Sequence, residues 1–152
     1  MLDRRLRNLS LLAIFLIVSG CASVPTASLD EDTLRKSFSA PTTSMSAIYI
    51  YRDSNYGAAL KKSVSVDNIP LGQTAPKTYF YIEVAPGEHT LATESEFGDQ
   101  TLTIETEAGE IYFVKQYIKM GLMIGGSNLK LVDETEGEKG VLKCRLAENP
   151  YL

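Results

Sequence analysis

Two cysteines, one histidine, an acidic cluster and a set of tyrosines are the residues of this 152-residue chain whose chemistry reaches beyond packing. Cys21 follows the small residues Ser19 and Gly20. A thiol there can take an alkyl group on sulfur, and cleavage before it frees an amine for acylation. A serine hydroxyl is a much poorer nucleophile near neutral pH. Cys144 is the other thiol. It reads as a buried, inert cysteine on a C-terminal helix, with an intermolecular disulfide as the alternative in an oxidising compartment. His89 sits beside Glu88, just past Pro86-Gly87, but no G-x-S-x-G elbow accompanies it, so it reads as structural or exposed. Asp133, Glu134, Glu136 and Glu138 lack the alternate spacing of a calcium loop and read as the acidic start of a helix. No catalytic residue, metal site or cofactor is assigned.

The tyrosines offer a contact surface instead. In Lys77 to Val84, Phe80, Ile82 and Val84 alternate with Tyr79, Tyr81 and Glu83. A strand has only two faces, so an inward triplet places Tyr79 and Tyr81 on an exposed or half-exposed face. Tyrosine carries a large apolar area and a polar tip, which suits contact with a protein or a sugar. The competing arrangement has the terminal helix or the N-terminal segment covering this face and making a second core layer. Tyr49, Tyr51, Tyr112 and Tyr117 complete the set, and cross-strand pairing is their structural role.

The elements that must position these residues begin with a leader. Arg4, Arg5 and Arg7 form a basic region, and Leu9 to Val18 an apolar run broken only by Ser10. The run is about half the ~20 residues of a membrane-spanning helix, so an export signal over residues 1–20 is expected. Val18-Ser19-Gly20-Cys21 resembles a bacterial lipobox, with the cut between Gly20 and Cys21 and lipidation on Cys21. The alternative is an ordinary secretory signal followed by a chance cysteine. Ala22, where diderm lipoproteins retained in the inner membrane carry Asp, implies the outer membrane facing the periplasm, with the inner membrane or cell surface as alternatives. The formal charge of −4 falls further once the basic leader is removed. Attachment then rests on acyl chains rather than on charge, and nucleic acid is excluded as a partner class.

Residues 21–46 read as the lipidated cysteine and a Ser/Thr/Ala/Pro-rich tether reaching at most ~85 Å. Within it, Leu29 to Phe38 has acids first and bases last, predicting one short helix docking Leu34 and Phe38, against a disordered linker as the alternative. Residues 47–148 read as one β domain. Strands are expected over 47–52, 62–67, 77–84, 89–94, 100–106, 110–118 and 127–132, with Leu129 and Leu131 inward in the last. Asp67-Asn68, the Pro70 to Gly72 stretch and Ala85 to Glu88 supply turns. Gly121 to Gly126 is apolar and glycine-broken, and reads as a buried bulged strand, with an exposed partner- or membrane-facing loop as the alternative. Short strands at this spacing predict a mainly β, antiparallel sandwich. Asp133 followed by Glu136 predicts a C-terminal helix through Val141, Leu142, Arg145 and Leu146, at a cost of about 1 kcal/mol each for Gly137 and Gly140, with a further hairpin as the alternative.

Lys36-Ser37-Phe38, Ala47 to Arg52, Val64 to Asp67 with Leu71-Gly72, Val84 to Leu91, and Ala108 to Val114 together resemble a family of bacterial lipoproteins, domain of unknown function 2846. The middle segments also resemble the PEGA repeat. The resemblance covers about residues 30–147 and implies a PEGA-like, immunoglobulin-like sandwich on a lipid anchor, with no catalytic residue carried over. Asn68 departs from the usual Gly of its turn but also tolerates positive φ. The expected function is a lipid-anchored, non-enzymatic binding or assembly module contacting an envelope protein or glycan. A carbohydrate- or peptidoglycan-binding module is the alternative. An envelope enzyme is a third class, with no residue set behind it.

Overall fold

The computed structural model describes residues 20–123 and 125–150. The basic and apolar leader, with Val18 and Ser19 of the lipobox, lies outside the described residues. Helix α1 (Leu29–Arg35) precedes β1 (Ser46–Arg52), β2 (Lys62–Val66), β3 (Ile69–Thr74), β4 (Thr78–Val84), β5 (Gly87–Thr93), β6 (Gln100–Thr106), β7 (Ile111–Lys119) and β8 (Gly126–Val132). Helix α2 (Glu134–Val141) and the two-residue β9 (Arg145–Leu146) follow. The strands form two sheets, ordered β8-β7-β1-β4-β9 and β3-β2-β5-β6. This is the mainly β, sandwich-like architecture that the alternation predicts. Most pairings are antiparallel, but β1 runs parallel to β7 and β4 parallel to β9.

Local chemistry explains the turns. Asp67 and Asn68 both take positive φ, 51° and 65°, closing the β2–β3 hairpin with a two-residue turn of primed type. Asn therefore does here what Gly does elsewhere, while Pro70 to Gly72, expected as a turn, lie inside β3 because the two-residue turn already ends at Asn68. The Ala85-Pro86 corner is a different device from the tight return that the sequence suggests: β4 and β5 lie in different sheets, so the chain crosses between layers there.

The register places Ile48 opposite Ile82 and Ile50 opposite Phe80. These side chains, with Val114 and Leu129, meet Val64, Val66, Leu71, Leu91 and Ile104 of the other sheet to form the main core. On the opposite face of the first sheet, Tyr49 pairs with Tyr81 and Tyr51 with Tyr79. That face is a second core layer. Tyr49, Tyr51, Tyr79 and Phe113 pack with Val141, Cys144 and Leu146, and every residue of β1 is buried. A strand buried on both faces needs a cover on each; the helical segments supply the second one. The expected exposure is thus overturned for Tyr79, which has no accessible surface, while Tyr81 is half-buried.

α1 is capped by Ser28, whose hydroxyl accepts from Glu31 N at 3.2 Å. Its buried Asp32 fastens it to the C-terminal segment: the carboxylate accepts from Lys36 Nζ at 2.8 Å and from Leu146 N at 2.8 Å, with Arg145 Nε at 3.4 Å. Burial raises the Asp32 pKa, but Lys36, the Leu146 amide and Tyr79 outweigh it and hold the carboxyl below its ordinary value. Phe38, at φ 49° beyond the helix, docks edge-on against Tyr49 and Phe113. Leu34 does not dock; it is exposed, because α1 ends at Arg35 and the chain turns before Phe38. Leu131 is likewise exposed, on the edge strand β8.

The stretch expected as a loose tether lies along the domain. Thr26 bridges to Ala147, Ala27 N donates to Leu146 O at 3.0 Å and Glu148 N to Pro25 O at 3.0 Å. Gly121 to Gly126, expected as a buried strand, is a loop up to Gly126, where β8 begins, and Met120, Leu122 and Met123 are exposed. Ile124 lies outside the described residues.

α2 starts where predicted, with Asp133 Oδ1 accepting from Glu136 N at 2.8 Å. It ends at Val141, and Arg145 and Leu146 become β9 rather than continuing it. Its two glycines face the sheet. A Cβ on Gly137 would meet Phe113 Cγ at 2.1 Å, and one on Gly140 would meet Tyr51 Cε2 at 2.1 Å. Gly140→Ala therefore lowers Tm, although alanine favours an isolated helix by about 1 kcal/mol, because overpacking costs roughly 1–3 kcal/mol. Lys139→Ala, on the same helix, leaves Tm nearly unchanged; thermal unfolding of the two variants checks the contrast.

Candidate functional site

β9 covers only the start of β4. Arg145 N donates to Lys77 O at 2.9 Å and Ala147 N to Tyr79 O at 2.8 Å. By the two-residue period of a strand, the Glu83 N–H and C=O point the same way, past the end of β9. Among the described residues no strand pairs beside Ile82 to Val84 on that side, so they run along an open sheet edge. That edge borders a groove of about 910 Å³. Val66, Asp67 and Ile69 of the β2–β3 hairpin line its far side, Ala147 to Asn149 one end, and Glu31 and Arg35 of α1 its rim. Ile69 is exposed there.

Tyr81 brings the contact surface into this groove. Its hydroxyl donates to Glu83 Oε1 at 2.6 Å, and Glu83 Oε2 accepts from Thr42 N at 3.2 Å. Bonds from Thr42 and Tyr81 hold the Glu83 carboxyl below its ordinary pKa, and burial with Glu83 alongside pushes the Tyr81 phenol up. The Arg35 guanidinium lies 4.0 Å above the Tyr81 ring, and Tyr49 meets that ring edge-on at 5.0 Å. One face of the ring is thus occupied by a cation. Tyr79 is not part of this surface; its hydroxyl turns inward to Asp32 O at 3.4 Å.

His89 stands at the same groove with both ring nitrogens engaged. Nδ1 lies 2.6 Å from Asp67 Oδ2, and Nε2 lies 2.7 Å from the Ala85 carbonyl. Two acceptors favour the doubly protonated ring. Burial opposes the charge, but Asp67 and Ala85 outweigh it and raise the His89 pKa above the ordinary imidazole value. Neither nitrogen is placed to take a proton from a substrate. The Asp67 carboxylate also accepts from Thr90 N at 2.9 Å, tying the hairpin turn to β5.

Cys144 lies just beyond α2, buried, with Sγ donating toward Gly140 O at 3.3 Å. Burial pushes its thiol up to about 12, so it carries no thiolate near neutrality. Gly20 and Cys21 are exposed at the N-terminal end of the described residues. The acids of α2 serve as cap and ion partners: Glu136 lies 3.4 Å from Lys115 Nζ and 3.3 Å from Lys130 Nζ. Among the described residues no cluster of His, Cys, Asp and Glu is arranged to hold a metal ion. No helix among them is long and apolar enough to cross a membrane.

Sequence reasoning missed Arg35, Asp67 and Ile69 as groove residues. Arg35 was legible as a cation at a helix end and Asp67 as a turn residue. Their convergence depends on the packing of α1 over β4 and of the hairpin beside it.

The site defines a class: a two-sheet sandwich with an open strand edge over a groove. Residues 42–127 match the family described as "Protein of unknown function (DUF2846)", and the chain belongs to that family. A protein of Haemophilus influenzae (strain ATCC 51907 / DSM 11121 / KW20 / Rd), described as "Uncharacterized protein", is 44% identical over 138 residues. The match spans 91% of this chain and 82% of that relative. No solved structure matches.

Two outcomes follow from the geometry. A raised histidine pKa stabilises the fold fully below the ordinary imidazole value and loses that effect as pH rises through the raised one. A lowered Asp67 pKa contributes above the ordinary Asp value and fades in acid. The stability gap between the native chain and His89→Gln is therefore widest near about pH 5–6 and shrinks toward about pH 8–9, measured by urea unfolding across pH. Tyr79→Ala costs roughly 3–5 kcal/mol as a buried aromatic truncation, and Tyr81→Ala clearly less; equal losses would show that Tyr81 is also core.

Proposed function

We propose that the protein is a lipid-anchored bacterial envelope lipoprotein, a PEGA-like sandwich acylated at Cys21 and cut after Gly20. It works as a non-enzymatic assembly module in the outer membrane, facing the periplasm. The lipobox form of Val18 to Cys21 and the exposure of Cys21 support the anchor. The open β4 edge carries the binding reading. An extended segment of an envelope protein adds to Glu83 by main-chain hydrogen bonds, with its side chains against Ile69 and Tyr81. Glycan recognition is the weaker reading, because Arg35 occupies one face of Tyr81 and Tyr49 packs against the same ring.

Two experiments test this. Cys21→Ser abolishes labelling by radioactive palmitate and leaves the precursor uncut; a labelled Cys21→Ser protein overturns the anchor. A photo-crosslinking residue at Ile69 yields one dominant protein adduct in cells, and the same residue at the exposed Leu142 on the α2 side does not. Glu83→Pro removes an edge N–H that points away from β1 and abolishes the adduct, while Glu83→Gln retains it. Enrichment only with peptidoglycan or surface polysaccharide would move the assignment to a glycan.

A further inference from the structure

The end of the sandwich opposite the 107–110 turn gathers three loops, and the N-terminal segment meets it. Residues 53–61 follow β1, residues 94–99 join β5 to β6, and the described residues 120–123 and 125 lie between β7 and β8. They are held as one unit. A Cβ on Gly57 would meet Ile118 at 3.0 Å, and one on Gly125 would meet Leu60 at 2.7 Å. The Glu96 carboxylate accepts from Leu122 N at 2.7 Å and also from Met123 N. The buried Arg52 guanidinium donates to Leu60 O at 2.7 Å and Gly57 O at 2.8 Å, fixing the 53–61 loop from beneath.

This unit carries the most exposed of the large apolar side chains among the described residues: Leu122 and Met123 at 87%, Met120 at 86% and Phe97 at 84%. Side chains this size, so exposed and so close together, mark a surface that meets something apolar. The path of the chain says what. Ala22 N donates to Ala58 O at 2.8 Å, in the loop that packs against residues 118 and 125. Once the chain is cut after Gly20, only Cys21 precedes it, and consecutive Cα atoms are only about 3.8 Å apart. Acyl chains on Cys21 would enter the bilayer beside these loops with no slack to hold the domain away.

We infer that this loop end is a membrane-docking face. Phe97, Met120, Leu122 and Met123 insert into the interfacial layer of the bilayer that receives the Cys21 acyl chains. The inference rests on the lipid-anchor reading. Methionine and leucine adapt to disordered acyl surroundings, and phenylalanine suits the headgroup boundary. Docking is driven by apolar burial, since the flanking charges are of both signs, with Lys61 and Lys119 against Glu94 and Asp99. The β4 edge beside Val84 then points toward the opposite, water-facing end, where a partner segment can reach it.

The test uses the full-length acylated protein in phosphatidylethanolamine–phosphatidylglycerol vesicles. An environment-sensitive fluorophore is placed through Leu122→Cys, Phe97→Cys or, at the far end, Glu107→Cys. Cys144 stays unlabelled because it is buried. Palmitate labelling of each variant reports the anchor separately. The expected result is blue-shifted emission at 122 and 97, quenched by spin-labelled lipid at least about twofold more than at 107. Equal, weak quenching at all three sites in palmitate-labelled protein overturns the docking face and leaves the anchor standing. A blue shift at 122 without lipid quenching places a protein on the loops and also overturns it. Absence of palmitate labelling overturns the anchor, and the docking face with it.

Discussion

The aromatic face of the first sheet must be kept from water, and most of the molecule answers to that need. Tyr49 stacks on Phe113 at 5.3 Å and meets Phe38 and Tyr81 edge-on. Leaving such a surface open would forfeit the burial of several large rings. Two short helices from opposite ends of the chain close over it, and each is adapted to the rings beneath. Tyr49 Oη donates to Arg35 O at 2.6 Å at the end of α1, a carbonyl that also accepts from Phe38 N at 3.2 Å. α2 presents Gly137 and Gly140 beside Val141, so its backbone lies directly on Phe113 and Tyr51. Asp32 then ties the N-terminal cover to the C-terminal one through Leu146 and Arg145.

The inner core is organised differently. Between the sheets its apolar centre is bounded by hydroxyl and amide groups. Gln116 bonds Thr74 and, at 2.7 Å, Thr93, which bonds Ser127 at 2.7 Å; at the other end Ser46 donates to Thr106 at 2.9 Å. All of these residues are buried. Such contacts demand particular partners, so they favour one register of the two sheets over its neighbours. The loop end and the β4 edge are thereby held at fixed positions on a stiff frame.

Much of this was readable from the residues. Alternation in 77–84 identified the strand and both of its faces, and the Asp133–Glu136 spacing identified the start of α2. The errors share a cause. Period two says that Tyr79 and Phe80 point opposite ways, but not that both sides are covered; that depends on contacts between residues more than 40 apart, such as Tyr79 with Asp32. Gly137 and Gly140 read as helix weaknesses because propensity measures an isolated helix, whereas here they permit close approach. Gly121 to Gly126 read as buried because apolar content alone does not distinguish a core strand from an exposed loop. The Pro86 corner read as a return because a local turn does not reveal which sheet the next strand joins. The β4 edge was invisible for the same reason: an open edge is a property of which strands are missing beside it.

The pairing of residues 25–27 with 146–148 means that the first segment of the domain and the last share one seam. A chain synthesised from its N-terminus completes this first segment long before its final residues arrive. Until they do, α1 lacks the Leu146 amide and Arg145 that fasten it, and half of the aromatic layer is uncovered. Closing this domain is therefore the last event of its synthesis. A chain built this way stays open until its C-terminal segment has left the ribosome.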